Sequence, residues 1–546
     1  MKSLFYFLAF AAAFVLLTAC PKPETETEPI PVPRPDETVS LGQTAAITGE
    51  SLVAEDLRPL LVQQGDGLAF RCTDAPFTLG FDILKDFDAE RPFKRYLNYR
   101  IGYDFYLTPN PAVPADAGET VDLATLLPAN IDLGYRSKGM SIYLAALPDE
   151  VIALEDILLT ESSHFDVTLS VTNPYFTEGA VIPEFSVDMR AFFNSPEAVD
   201  GILHFDAPLT PENGYTATKV FHLDGVPFDP DNFDPVRHTL KLDARVGLSG
   251  TVTMEGLKTT KDRLAAAPAD LLLNVTVVLL DVKCKGVTGR FAYQTKSVTG
   301  SLKLPANLSA LDLDASGSAV QLDMTSNLSV PAQALVDLTS RKGRRAIAEL
   351  PGLRMPLAVA APGSTTSSVF QLQEAGDLSP LFARVPDEFV FLTSAATMED
   401  QSCTVYMEQD NQVTLTPTVV MPFVPAATFD LSLSDTLSVP AKVGAALKAQ
   451  PLGLQGEVVN TLPLDVDMTL TLMDDTGRAL SRPMTQTFAA ESTTAIRQEI
   501  VAATAATDNL SKAVVVYRIR NPKSSRPIRA SDKLQATLNI IIPGEI

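Results

Sequence analysis

Leu464-Asp465-Val466-Asp467-Met468-Thr469-Leu470-Thr471-Leu472 decides the fold. Every even position is a large apolar residue and every odd one is Asp or Thr. A period of two sends one face to a core and the other to water, which is the pattern of a strand in a half-buried antiparallel sheet. The pattern recurs along the chain: Phe165, Val167, Leu169 and Val171; Phe185, Val187, Met189 and Ala191; and Leu534, Ala536, Leu538, Ile540 and Ile542. Turn signals separate such runs, at Asn213-Gly214, Asp224-Gly225 and Asp474-Asp475-Thr476-Gly477. The chain therefore reads as mainly β: tandem antiparallel β-sandwich (Ig-like) modules with few short helices. The best helical segments are Ala495 to Ala506, opened by Ser492-Thr493-Thr494, and Ala54 to Gln64 despite Pro59.

Two local patterns repeat. Leu147-Pro148-Asp149-Glu150-Val151 is echoed by Val385-Pro386-Asp387-Glu388-Phe389 and, loosely, by Leu304-Pro305-Ala306-Asn307-Leu308. An Asn followed by a Pro-containing connection recurs at Asn173 and Pro183, Asn327 and Pro331, and Asn460 and Pro463. The unequal spacings exclude a solenoid and suggest duplicated sandwich modules, against reuse of common turn chemistry. The segment Asp166-Val-Thr-Leu-Ser-Val-Thr-Asn-Pro-Tyr175 is similar to the hairpin of late-embryogenesis-abundant (water-stress) β-sandwiches. Val458-Val-Asn-Thr-Leu-Pro-Leu464 echoes it without the Asn-Pro. That resemblance implies a sandwich and carries no catalytic residue.

The N-terminus supplies an address. Met1 and Lys2 precede an apolar run from Leu4 to Leu17, closed by Leu17-Thr18-Ala19-Cys20, the layout of a secretory signal. The run is shorter than the roughly 20 residues a membrane-spanning helix needs. Leu-Thr-Ala-Cys resembles the lipobox of bacterial lipoproteins, which implies that Cys20 is the acylated first residue of the mature chain. Three acyl chains, as the resemblance implies, would hold it on a membrane where a single chain binds marginally. Pro21 to Glu37, PKPETETEPIPVPRPDE, is a Pro-rich spacer that favours extended polyproline geometry. Pro21 after the cysteine fits outer-membrane sorting, and Glu24, Glu26 and Glu28 resemble the acidic surface-export signals of lipoproteins in some gut anaerobes. The body resembles uncharacterised β-rich lipoproteins of such organisms. The expected segments are 1–19, signal peptide; 20–38, lipidated Cys and linker; 39–146, N-terminal β domain; 147–285, β-sandwich; 286–379, β domain; and 380–546, C-terminal β-sandwich.

Composition narrows function by exclusion. Loss of Lys2 with the leader takes the formal charge of the 546-residue chain from −23 to −24, which argues against nucleic acid as a partner. The basic run Arg341-Lys342-Gly343-Arg344-Arg345 reads as a solvated edge. Cys72, Cys284 and Cys403 are widely spaced and can form at most one disulfide. The chain has no Trp, so recognition surfaces would rely on Tyr and Phe. No nucleotide, zinc-peptidase or serine-hydrolase motif occurs, and no cofactor is implied.

His164, His204, His222 and His238 lack metal-ligand spacing and read as ordinary histidines. The acidic loop Phe228 to Pro235 offers Asp229, Asp231 and Asp234 as weak calcium candidates, although its prolines break the familiar loop. Asp82, Asp86 and Asp88 contain a possible carboxylate pair for acid–base chemistry. The expectation is a non-enzymatic, membrane-anchored envelope or outer-membrane lipoprotein. It would display binding modules for a protein or glycan ligand, or serve in an envelope assembly. The alternative is a carrier of hydrophobic ligands, and an enzyme using Asp231 or His238 stands third.

Overall fold

A computed structural model describes residues 35–107, 119–125, 127–144, 147–172, 176–190, 193–265, 271–504 and 506–544. The leader, Cys20 and most of the Pro-rich spacer lie outside them, as does the Asn173-Pro174-Tyr175 turn. Among the described residues the strands form seven sheets with antiparallel pairing, and helices are few and short. The mainly-β, sandwich-type class expected from the period-two runs is what the chain adopts. No helix among these residues is long and apolar enough to cross a membrane.

Two compact units divide the chain. One holds the described residues up to Arg58, Gly65–Leu68 and everything from Val424 on. Its first sheet runs Glu37–Gln43, Lys533–Ile542, Leu452–Asn460, Ser492–Ile500; its second runs Asp430–Ser438, Leu510–Pro522, Leu464–Asp474, Met484–Phe488. Leu464, Val466, Met468, Leu470 and Leu472 are all buried, and across the core lie Leu534, Ala536, Leu538 and Ile540. Each such Leu, Ile, Val or Met side chain contributes roughly 1.5–3 kcal/mol of burial. The two sheets are joined inside by Tyr517, whose buried hydroxyl lies 3.0 Å from Thr44 Oγ1, while Thr44 N donates to Ala536 O. On the outer face the alternate residues also find partners: Asp467 pairs with Arg520 at 2.5 Å and Asp465 with Lys523 at 2.9 Å.

The other unit comprises residues 59–64 and 69–423. One sheet runs Thr216–His222, His164–Thr172, Leu271–Asp281, Arg100–Leu107. Facing it is a seven-stranded sheet built around the 22-residue strand Thr239–Thr260. Tyr103 Oη of the first donates to Val246 O of the second at 2.9 Å. A second layered pair holds Val298–Lys303, Glu388–Thr397, Ala332–Lys342 and Arg345–Pro356 on one side. The sheet centred on Ala319–Ser326 and Gln412–Pro422 lies on the other. Phe77 and Phe391 meet between them, and a Cβ at Gly300 would strike the Phe77 ring at 2.3 Å, so only glycine fits there. A last sheet, Gly225–Pro227, Val151–Leu159, Cys284–Phe291, Cys403–Tyr406, hydrogen-bonds strands from distant parts of the chain.

Several expectations need correcting. Serial borders at 146, 285 and 379 do not follow the strand pairings: Glu37–Gln43 pairs with Lys533–Ile542, Arg100–Leu107 with Leu271–Asp281, and Gly67–Thr73 with Gln412–Pro422. Antiparallel edges are completed by whichever strand fits, however far away in sequence. The expected helix from Ala495 is a strand to Ile500, paired with Leu452–Asn460, with Ile496 and Ile500 buried. Spacing by four suits one face of either element, and here the unpaired sheet edge decides. Ala54 to Gln64 becomes a 3-10 turn, Glu55–Leu60, and a short strand, Leu61–Gln64. Pro59 cannot donate to a longer helix.

The Leu-Pro-Asp-Glu echoes separate too. Glu150 accepts from Leu84 N, Asp387 from Gly343 N, and Pro305 opens the helix Ala306–Ala310, so they share turn chemistry and not a common setting. The basic run is the tip of the hairpin joining Ala332–Lys342 to Arg345–Pro356, with Gly343 at φ 59° and Lys342 paired to Asp387 at 3.1 Å.

Candidate functional site

Three of the carboxylates singled out above, Asp229, Asp234 and Asp88, accept from nearby backbone amides. Asp229 Oδ1 accepts from Asp231 N, and Asp234 Oδ1 accepts from Val236 N and Arg237 N, each at 3.0 Å. Those amides hold the Asp234 carboxyl below its ordinary value. Such short side-chain turns stabilise a loop without pointing three oxygens at one cation. Asp88 accepts from Glu90 N, Arg91 N and Lys94, and Asp82 pairs with Lys85, so these two carboxylates are each engaged with a neighbour rather than with one another. Among the described residues no group of three His, Cys, Asp or Glu side chains converges on a point. Cys72, Cys284 and Cys403 are free thiols. The proposed acyl site, Cys20, lies outside the described residues.

What the fold does assemble is an open depression of about 450 Å³ lined by Leu158, Glu161, Pro196, His222, Asp224 and Lys285 with their neighbours. Four segments build it. His222 ends the edge strand Thr216–His222; Leu158 and Leu159 end Val151–Leu159; Lys285 is the second residue of Cys284–Phe291; and the 194–197 loop closes one side. That loop is fastened by its backbone, Asn194 N to Gly225 O at 2.8 Å and Asp224 N to Asn194 O at 3.1 Å. Gly225 fits closely at the join, where a Cβ would stand 3.1 Å from both oxygens of Asp156 and would press that carboxylate aside by a few tenths of an ångström. Burial pushes the Asp156 carboxyl up, only partly offset by hydrogen bonds from Val226 and Ile157.

The loop brings Glu197 to the rim. Glu197 Oε1 is 2.6 Å from His222 Nδ1, and Oε2 accepts from Ser195 Oγ at 2.8 Å. Partial burial raises the Glu197 carboxyl, but the hydrogen bonds from His222 and Ser195 outweigh it and leave it below its ordinary value. Ser195 and His222 both bind the carboxylate and not each other, so this is not the nucleophile–base chain of a hydrolase. The other histidines scatter: His204 contacts Ser186 Oγ, and His238, at φ 47°, lies 4.0 Å from Asp149. His164 alone joins His222, as its direct partner across the sheet. Fifty-eight residues of sequence separate the two, and only register reveals the pairing.

A second feature is a tyrosine-rich flank. Tyr99, Tyr106, Tyr135 and Tyr143 are 45–64% exposed. They sit on or beside Arg100–Leu107 and Arg136–Leu144, edge strands of the two facing sheets. Tyr96 Oη donates to Ser141 O at 2.9 Å, Lys138 Nζ lies 5.6 Å from the Tyr99 ring centre, and Arg136 lies over Phe105. These contacts set the two strands side by side in opposite directions. Beneath Tyr96 and Tyr99 is an apolar cavity of about 20 Å³.

Known proteins add little to this geometry. No protein-family model and no curated protein matches the chain. Among solved structures, a "putative secreted protein" from Parabacteroides distasonis aligns over 48% of this chain and 90% of its own, at 11% identity and TM-score 0.31. The infectious bursal disease virus Gt strain structure aligns over 77% of this chain and 81% of its own, at 6% identity and TM-score 0.14. The major capsid protein P2 of bacteriophage PM2 aligns over 58% and 97%, at 10% identity and TM-score 0.11. Likenesses this weak carry no argument, and the fold rests on the strands themselves.

Proposed function

We propose that this chain is an extracytoplasmic, lipid-anchored and non-enzymatic protein whose β-sandwich body presents a binding surface to a protein or glycan partner. The observation that supports it is the tyrosine flank. Aromatic side chains carry much of the energy of recognition, and a chain without Trp places four exposed tyrosines, with Arg136 and Lys138 among them, on adjoining sheet edges. The lipobox-like Leu17-Thr18-Ala19-Cys20 and the Pro-rich spacer support the anchor and the stalk. Carriage of an acyl chain gains no support from the cavity under Tyr96, which has room for about one water molecule.

The test compares the intact protein with a Tyr99→Ser/Tyr135→Ser/Tyr143→Ser variant on immobilised peptidoglycan and on a printed glycan array. Retention by the first and at least a tenfold loss in the second is the expected result. Equal retention by both or cleavage of any offered glycan would overturn the reading, and retention by neither would rule out the glycan partner. Protease treatment of intact cells then separates a surface location from a periplasmic one.

A further inference from the structure

The geometry points to a divalent transition-metal site on the outer face of the Thr216–His222 and His164–Thr172 strands, made by the Nε2 atoms of His164 and His222. The two histidines are register partners on neighbouring antiparallel strands. Their side chains therefore leave the same face, with Cβ atoms about 5 Å apart.

Each ring is already set for coordination. His164 Nδ1 is 2.8 Å from the Ser162 carbonyl oxygen, and a carbonyl can only accept. His222 Nδ1 is 2.6 Å from the Glu197 carboxylate, which also only accepts. Both Nδ1 atoms must carry the proton, so each neutral ring presents its lone pair at Nε2. A ligating histidine is oriented in this way, with its other nitrogen donating to a carbonyl or carboxylate behind it. Ser195 holds the far oxygen of Glu197 at 2.8 Å, which adds a further layer of support.

The surroundings favour a cation and keep the site open. Asp281 is the register partner of His164 on its other side, and Glu161 and Asp224 line the adjoining depression. Lys283, 3.7 Å from Asp281, and Lys285 are the nearby positive charges. The His222 side chain is 54% exposed. Two imidazoles leave the remaining coordination positions to water or to a donor from a partner. Imidazole suits Cu²⁺, Ni²⁺ and Zn²⁺ rather than Ca²⁺ or Mg²⁺, and among these affinity peaks at Cu²⁺.

The test adds equimolar Cu²⁺ to the detergent-solubilised full chain, reads nitrogen coordination by electron paramagnetic resonance, and displaces the ion with Zn²⁺. A two-nitrogen signal is expected. His164→Ala or His222→Ala should each lower affinity at least tenfold, and Glu197→Ala about tenfold by freeing the His222 ring. His204→Ala, on the other sheet, should change nothing. All four replacements are at solvent-accessible positions, and circular dichroism confirms that each variant is folded. A signal that survives the His164→Ala/His222→Ala double variant overturns the site, as does the absence of any bound Cu²⁺ in the folded parent.

Discussion

Cysteine chemistry shows how single residues are governed by where the sheets place them. Burial pushes Cys284 up to about 12 and Cys72 and Cys403 up to about 11. The thiolate is the reactive form, so at pH 8 these side chains should barely react with a disulfide reagent in the native protein. Unfolding should release three thiols in protein purified from membranes if Cys20 is acylated. A count of four would rule out the acyl anchor. Glycines act at the same scale. A Cβ at Gly289 would stand 2.1 Å from Ala153 O, and one at Gly456 2.1 Å from Thr537 O. Both glycines let paired strands close to hydrogen-bonding distance. No local sequence signal marks them, because the atoms they avoid belong to remote strands.

Turns and strands obey more local rules. Asp474-Asp475-Thr476-Gly477 is the turn it promises to be: Asp474 Oδ1 accepts from Thr476 Oγ1 at 2.7 Å and Arg478 N at 2.8 Å, and Gly477 has φ 87°. The Thr476 hydroxyl, then the Arg478 amide, hold the Asp474 carboxyl below its ordinary value. A depressed folded-state pKa stabilises above the unfolded value, near 4, and that contribution is lost as pH falls through the lower folded value. Asp474→Asn should therefore melt below the parent at pH 7, and the two melting curves should converge as pH drops under about 4. A gap that stays constant down to pH 3 would show that charge plays no part. Asn460 acts likewise at the Asn460–Pro463 connection: its side chain donates to Leu464 O and Ala489 O and accepts from Leu462 N, all from a fully buried position. Pattern alone locates such an Asn; its partner at 489 comes from tertiary structure.

At the level of the whole molecule, the C-terminal strand Lys533–Ile542 is central to its sheet, holding Glu37–Gln43 on one edge and Leu452–Asn460 on the other. Deleting residues 533–546 removes four buried side chains, Leu534, Ala536, Leu538 and Ile540, strips Glu37–Gln43 of its partner and leaves Leu452–Asn460 paired only with Ser492–Ile500. Limited proteolysis of the deletion variant should digest residues 424–532 while residues 69–423 survive as a resistant fragment. Survival of both regions would mean that the termini are dispensable to that unit.

The sequence by itself determined the secondary-structure class, the faces of the strands, the turns at 474–477 and the shortage of enzymatic motifs. Those depend on side-chain period and on backbone chemistry within a few residues. Which strands pair, which terminus completes which sheet, and that His222 meets both His164 and Glu197 were decided by tertiary structure. A strand's hydrogen-bonding edge is made of backbone groups that every sequence shares. Its partner is chosen by how whole faces pack, and neighbouring residues do not record that choice.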